Sequence, residues 1–128
     1  MSASADGLHE DRGALPEDVL DRHRAISSLM EELEAVDWYD QRVAATRDPA
    51  LKALLAHNRD EEKEHAVMTL EWLRRRDPRL DRELRTYLFT DGDILAAEDA
   101  ATSGEADAAP APGTADGSLG IGSLKEHT

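Results

Sequence analysis

From Pro16 to Arg76 the apolar positions recur in alternating steps of three and four, the spacing that lines side chains along one face of an α-helix. Val19, Ala25, Ile26, Leu29, Met30, Leu33, Val36 and Val43 keep this period and predict a first helix ending near Thr46. Its start is marked by Pro16, which suits a first turn, and by Glu17 and Asp18, which suit the positive end of the helix dipole. Asp48-Pro49 then reads as an N-cap followed by proline at the first helical position, opening a second helix from Pro49 to about Arg76. Asp77-Pro78 repeats that punctuation and opens a shorter third helix carrying Leu80, Leu84, Tyr87 and Leu88.

The flanks read differently. Residues 1–15 are small and polar and are expected to be a flexible N-terminus. Thr90-Asp91-Gly92-Asp93 breaks the third helix, and Ile94 to Ala101 adds a further turn or two. An Ala/Gly/Asp/Pro-rich stretch over 101–116 reads as a disordered linker. The last segment, 117–128, contains GSLGIGSLK, where small residues alternate with Leu119, Ile121 and Leu124 in an extended pattern. The folded domain is thus expected over 16–100.

A short connection near Asp48 makes the first two helices an antiparallel hairpin, each about 40–45 Å long at about 1.5 Å per residue. Two such helices expose apolar stripes that one hairpin cannot cover. The expected fold is all-α: an antiparallel two-helix hairpin plus a short C-terminal helix, dimerising into a four-helix bundle.

Polar residues interrupt the stripes in phase. On the second helix Leu51, Leu55, Asn58, Glu62, His65, Thr69 and Trp72 share one face, and on the first Ala25, Leu29, Glu32, Val36, Tyr39 and Val43 share another. A carboxylate in an apolar seam needs a compensating partner. Glu32 with Glu62-x-x-His65 is half the ligand set of a di-metal carboxylate centre in a four-helix bundle, and a two-fold dimer would supply the other half. Four carboxylates would neutralise two divalent cations, so metal is expected to promote dimerisation. Tyr39 lies two turns from Glu32 on the same face. Glu31, Glu34 and Trp38 form an adjacent stripe able to draw cations inward, and His57, Glu61 and Glu64 could hold a secondary ion. His9, His23 and His127 have no partner pattern.

Composition narrows the chemistry. The formal charge is −13. Residues 1–90 hold 20 acids against 14 bases, and residues 91–128 hold 8 against 1. With no basic stripe, nucleic acids and anionic membranes are not expected as partners. The absence of cysteine leaves carboxylate and imidazole as metal ligands, which suit iron, manganese or zinc. No signal peptide and no apolar run of membrane-spanning length is visible, so a soluble, cytoplasmic protein is expected.

The runs EELEAVDWYDQR (Glu31 to Arg42), HNRDEEKEHA (His57 to Ala66) and TLEWLRR (Thr69 to Arg75) closely resemble the encapsulated ferritins, and GSLGIGSLK resembles their encapsulin-targeting peptide. The resemblance covers about Arg22 to Thr90, then the tail. It implies a ferritin-like bundle and a ferroxidase whose di-iron centre forms only between two subunits, from Glu32, Glu62 and His65 of each. It further implies that Glu31 and Glu34, beside Trp38, line the approach for Fe(II), with Tyr39 near the centre. The family assembles as a ring of five dimers, a homodecamer, that oxidises iron inside an encapsulin nanocompartment whose shell stores the mineral. Leu119, Ile121 and Leu124 would then dock in an apolar groove of the shell protein. Two other readings of the same residues are a di-metal enzyme that consumes peroxide, of rubrerythrin or manganese-catalase type, and a non-enzymatic helical scaffold.

Overall fold

The computed structural model describes residues 7–108. All regular structure among them is helical: a 3-10 turn at Arg12–Ala14, then α1 (Glu17–Ala45), α2 (Pro49–Arg76), α3 (Pro78–Tyr87) and α4 (Ile94–Ala108). The chain divides between Arg76 and Asp77 into two units, the α1–α2 hairpin and the α3–α4 pair. The expected all-α class and hairpin are what the structure has. None of the helices is long and apolar enough to cross a membrane.

The helix boundaries follow from capping. Pro16 occupies the N-cap of α1, and its carbonyl accepts from the Val19 and Leu20 N–H groups at 3.1 Å. Thr46 closes that helix, donating from both its N–H and its hydroxyl to the Arg42 carbonyl, at 2.9 and 2.6 Å. Asp48, Asp77 and Asp93 then open the three remaining helices by the same device. Their carboxylates accept from the N–H groups of Leu51 (2.8 Å), Leu80 (3.0 Å) and Ala96 (2.9 Å), donors that a first turn otherwise leaves unpaired.

In the hairpin, a connection of only Thr46, Arg47 and Asp48 forces α1 and α2 to run antiparallel. Leu20, Ala66 and Leu73 form its small buried core, with Ser27 the one buried polar residue. Leu33 (54% exposed) and Met68 (63%) remain open to solvent, and no large side chain is completely buried among the described residues. Residues 7–15, expected to be flexible, follow a defined path. Leu8 and Leu15 are half-buried, and Leu8 lines an open cleft of about 390 Å³ with Leu20, Ser27 and Glu31. The apolar Leu8 and Leu15 give this polar stretch a reason to fold back, which its overall composition hides.

In the second unit α3 packs on α4. Leu80, Leu84 and Tyr87 lie half-buried along one side of α3, while Arg85 bonds Asp81 at 3.0 Å along its length. α4 is longer than expected. The stretch read as linker from residue 101 is helical through Ala108, because alanine-rich sequence extends a helix readily once Asp93 has capped it. Residues 117–128, including Leu119, Ile121 and Leu124, lie outside the described residues.

Candidate metal centre

Glu32 and Glu62 are both half-buried, and Glu32 meets Thr69 of α2 across the hairpin. Two cross-helix bonds set the register. Arg59 Nη1 donates to Asp40 Oδ1 at 3.0 Å, and Thr69 Oγ1 donates to Glu32 Oε1 at 3.2 Å. Asp40 therefore stands level with Arg59, and Glu32 with Thr69. Counting along antiparallel helices at about 1.5 Å per residue, Glu62 comes level with Trp38, about 9 Å along the axis from Glu32.

His65 completes the α2 contribution one turn after Glu62. Its Nδ1 lies 3.6 Å from Glu62 Oε1 and its Nε2 4.0 Å from Glu61 Oε1, and its side chain is 47% exposed against 28% for Glu62. The imidazole thus sits at the rim of the hairpin, with one carboxylate on the seam side and another toward solvent. Among the described residues, no group of three or more His, Asp or Glu side chains gathers closely enough to hold a metal ion. One chain presents Glu62 with His65 as a pair and Glu32 separately.

The remaining candidates fall around this seam. Glu31 is exposed and lines the N-terminal cleft, Glu34 is half-buried, and Trp38 is exposed beside Gln41 and Arg42 in a shallow depression. Tyr39 is half-buried, with the Arg42 guanidinium 5.5 Å from its ring centre. Glu61 stands 3.9 Å from His57 as well as near His65, but the structure does not bring Glu64 into a cluster with them.

Charge pairs run along α2 on either side of Glu62 and His65. Arg59 binds Asp60 as well as Asp40, and this bond holds the Asp60 carboxyl below the usual carboxylate range. Beyond it Arg74 grips Glu71 with two bonds of 2.8 Å, and Arg75 adds one of 2.7 Å. Together they pull the Glu71 carboxyl from an ordinary 4.5 to about 2. Arg76 lies 4.0 Å over the Trp72 ring, extending the set of contacts at this end of α2. Thr69 and Arg59 carry the cross-helix register, yet sequence reasoning assigned neither a role. The signal for Thr69 was present: it shares the seam face, one turn after His65.

The chain matches the model of the EncFtn-like family over residues 7–91. It is 63% identical to the "Encapsulated ferritin-like protein" of Rhodospirillum rubrum, over 98% of this chain and 92% of that protein. It is 52% identical to the "Ferritin-like protein" of Thermotoga maritima over 78% of this chain and 88% of that one. With the "Encapsulin nanocompartment cargo protein EncC" of Myxococcus xanthus the identity is 34%, over 73% and 76% of the two chains. Among solved structures, the crystal structure of protein ne0167 from Nitrosomonas europaea superimposes with a TM-score of 0.68 at 62% identity, covering 70% of this chain and 98% of that one. A family model matching more than half of the chain, and relatives this similar over most of their length, establish that the chain belongs to the EncFtn-like family.

Proposed function

We propose that this chain is a ferroxidase, oxidising Fe(II) to Fe(III) at a di-iron centre that two subunits build together from Glu32, Glu62 and His65. The observation that carries the reading is the split half-set. Each of the two helices carries a half-buried carboxylate and an imidazole stands beside one of them, yet among the described residues no three ligands gather. The donor types suit iron, and partial burial lets carboxylate charge act through less water than at a free surface. A two-fold partner doubles the set to four carboxylates and two imidazoles, matching two divalent cations.

In this reading the carboxylates hold an adjacent pair of Fe(II) ions as substrate. Two electrons, one from each iron, pass to one dioxygen, which takes up two protons and leaves as hydrogen peroxide. The added positive charge on the ferric products is balanced by hydroxide or relieved by their departure. Glu31 and Glu34, beside Trp38, draw cations toward the centre, Tyr39 stands near it, and His57, Glu61 and Glu64 are candidates for a secondary ion. The exposed apolar residues of the hairpin support association with further copies, and a ring of five dimers is the assembly we assign. The relatives named as encapsulated and as encapsulin cargo support a place inside an encapsulin shell, with Leu119, Ile121 and Leu124 as the docking residues. The shell would receive the ferric product for mineralisation.

The test is an anaerobic ferrous titration followed by admission of air, with ferric absorbance monitored beside a Glu62→Ala, His65→Ala double variant. Oxidation that saturates near one iron per chain, and falls to the buffer rate in the variant, is expected. Equal rates in both proteins would remove these residues from any centre.

A further inference from the structure

Thr69 is half-buried on α2, one turn after His65 and level with Glu32 across the seam. Its hydroxyl has one proton and two acceptors in reach: Glu32 Oε1 at 3.2 Å and the His65 main-chain carbonyl at 3.1 Å. That carbonyl is already the regular α-helical acceptor for the Thr69 N–H, four residues on within an unbroken helix. Glu32, by contrast, has no other hydrogen bond or ion pair recorded among the described residues. A carboxylate is also the stronger acceptor for a hydroxyl proton. Both considerations aim the Thr69 hydroxyl donor at Glu32 Oε1.

We propose that Thr69 is a positioning residue for the candidate metal centre: its hydroxyl, bound to Glu32 Oε1, orients that carboxylate and leaves Oε2 to face a cation. The inference rests on the reading of Glu32, Glu62 and His65 as ligands. An unanchored glutamate on α1 would have to give up the freedom of three side-chain torsions when a cation binds. The Thr69 bond removes part of that freedom beforehand, which is how preorganisation raises affinity. Because Thr69 sits on the helix that carries Glu62 and His65, the same bond ties the α1 ligand to the α2 pair. Groups that orient a ligand in this way commonly account for a large share of metal affinity.

The experiment uses the full chain and Co(II), which binds carboxylate and imidazole without being oxidised and reports its own coordination through visible absorption. Unaltered protein, Thr69→Val, Thr69→Ser and Glu32→Ala are titrated anaerobically, with helical content and thermal unfolding followed in parallel. Thr69→Val keeps the branched shape without the donor and is expected to weaken Co(II) binding about tenfold or more at unchanged helical content. Thr69→Ser, which restores the donor, is expected to recover near-original affinity. Should Thr69→Val not fold, Thr69→Ala removes the donor without a second methyl and takes its place. Unchanged affinity in Thr69→Val, while Glu32→Ala loses Co(II), overturns the positioning role and leaves the centre standing. Equal weakening in the Val and Ser variants also overturns it, since packing alone would then explain the loss. If Glu32→Ala itself binds like the unaltered protein, the centre fails, and the role of Thr69 with it.

Discussion

The hairpin and the α3–α4 pair solve opposite problems. In α1 and α2 the apolar residues spread around the helix, so that Leu33 and Met68 stay exposed while Glu32 and Glu62 are half-buried. α3 separates its faces sharply, with Leu80, Leu84 and Tyr87 on one side and charged residues on the other. Partial burial, with the nearby charges of Glu98 on α4 and Glu83, pushes the Tyr87 hydroxyl pKa up. A sharply amphipathic helix has one face to bury and can be satisfied by one neighbour. Helices with several apolar faces and polar groups in the seam are incomplete alone. The hairpin holds the buried core among the described residues, Leu20, Ala66 and Leu73, and carries Glu32, Glu62 and His65 as well, while Leu88, Phe89, Ile94 and Leu95 of the second unit stay exposed.

That contrast can be broken first in the hairpin core. Leu73 is 4% exposed, and Leu73→Ala should lower stability by about 2–4 kcal/mol through lost burial and a residual cavity. Denaturant unfolding followed by helical circular dichroism measures it. A loss well below that range would mean that the hairpin draws its stability from contacts other than this core.

A smaller effect of opposite sign is expected in the second unit. Phe89, just past the end of α3, has a φ of 63°, a left-handed conformation that costs a side-chain-bearing residue strain and suits glycine. Phe89→Gly should stabilise the last turn of α3 by about 1 kcal/mol, since the ring is 71% exposed and contributes little packing. Amide hydrogen exchange over Leu84 to Phe89 reads this directly. Faster exchange in the variant would show that the ring has a packing role that outweighs the strain.

The smallest effect lies in the electrostatics of α2. The Glu71 pKa is depressed when folded, so its pairing with Arg74 and Arg75 is fully stabilising above pH 4.5 and is lost as the pH falls toward about 2. Glu71 is 40% exposed, which keeps the contribution small through solvent screening. Glu71→Gln should flatten the acid limb of the stability profile over that window and leave neutral-pH stability only slightly lowered. An unaltered acid limb would assign it to other carboxylates.

The sequence by itself determined the local grammar of this protein. Asp48-Pro49 and Asp77-Pro78 announced helix starts because a carboxylate can cap exposed N–H groups and proline can follow it, all within a few residues. The phase of Glu32, Glu62 and His65 with Leu and Val was equally legible, because a helix repeats every 3.6 residues whatever surrounds it. Composition misled only where it averaged over the residues that mattered. Leu8 and Leu15 sit in a polar segment that nonetheless follows a defined path, and alanines carry α4 to Ala108 in a stretch that reads as linker.

Tertiary structure alone decided which residues stand opposite each other. Sliding one helix of the hairpin by a turn would present a similar apolar stripe, so periodicity cannot choose the register. The three-residue connection and the Arg59–Asp40 and Thr69–Glu32 bonds choose it. That choice separates Glu32 from Glu62 by about 9 Å along the helix axis within one chain and gives Glu32 its threonine partner. The reason is physical: capping and periodicity depend on neighbours in sequence, whereas register is a packing minimum reached only when two distant segments meet.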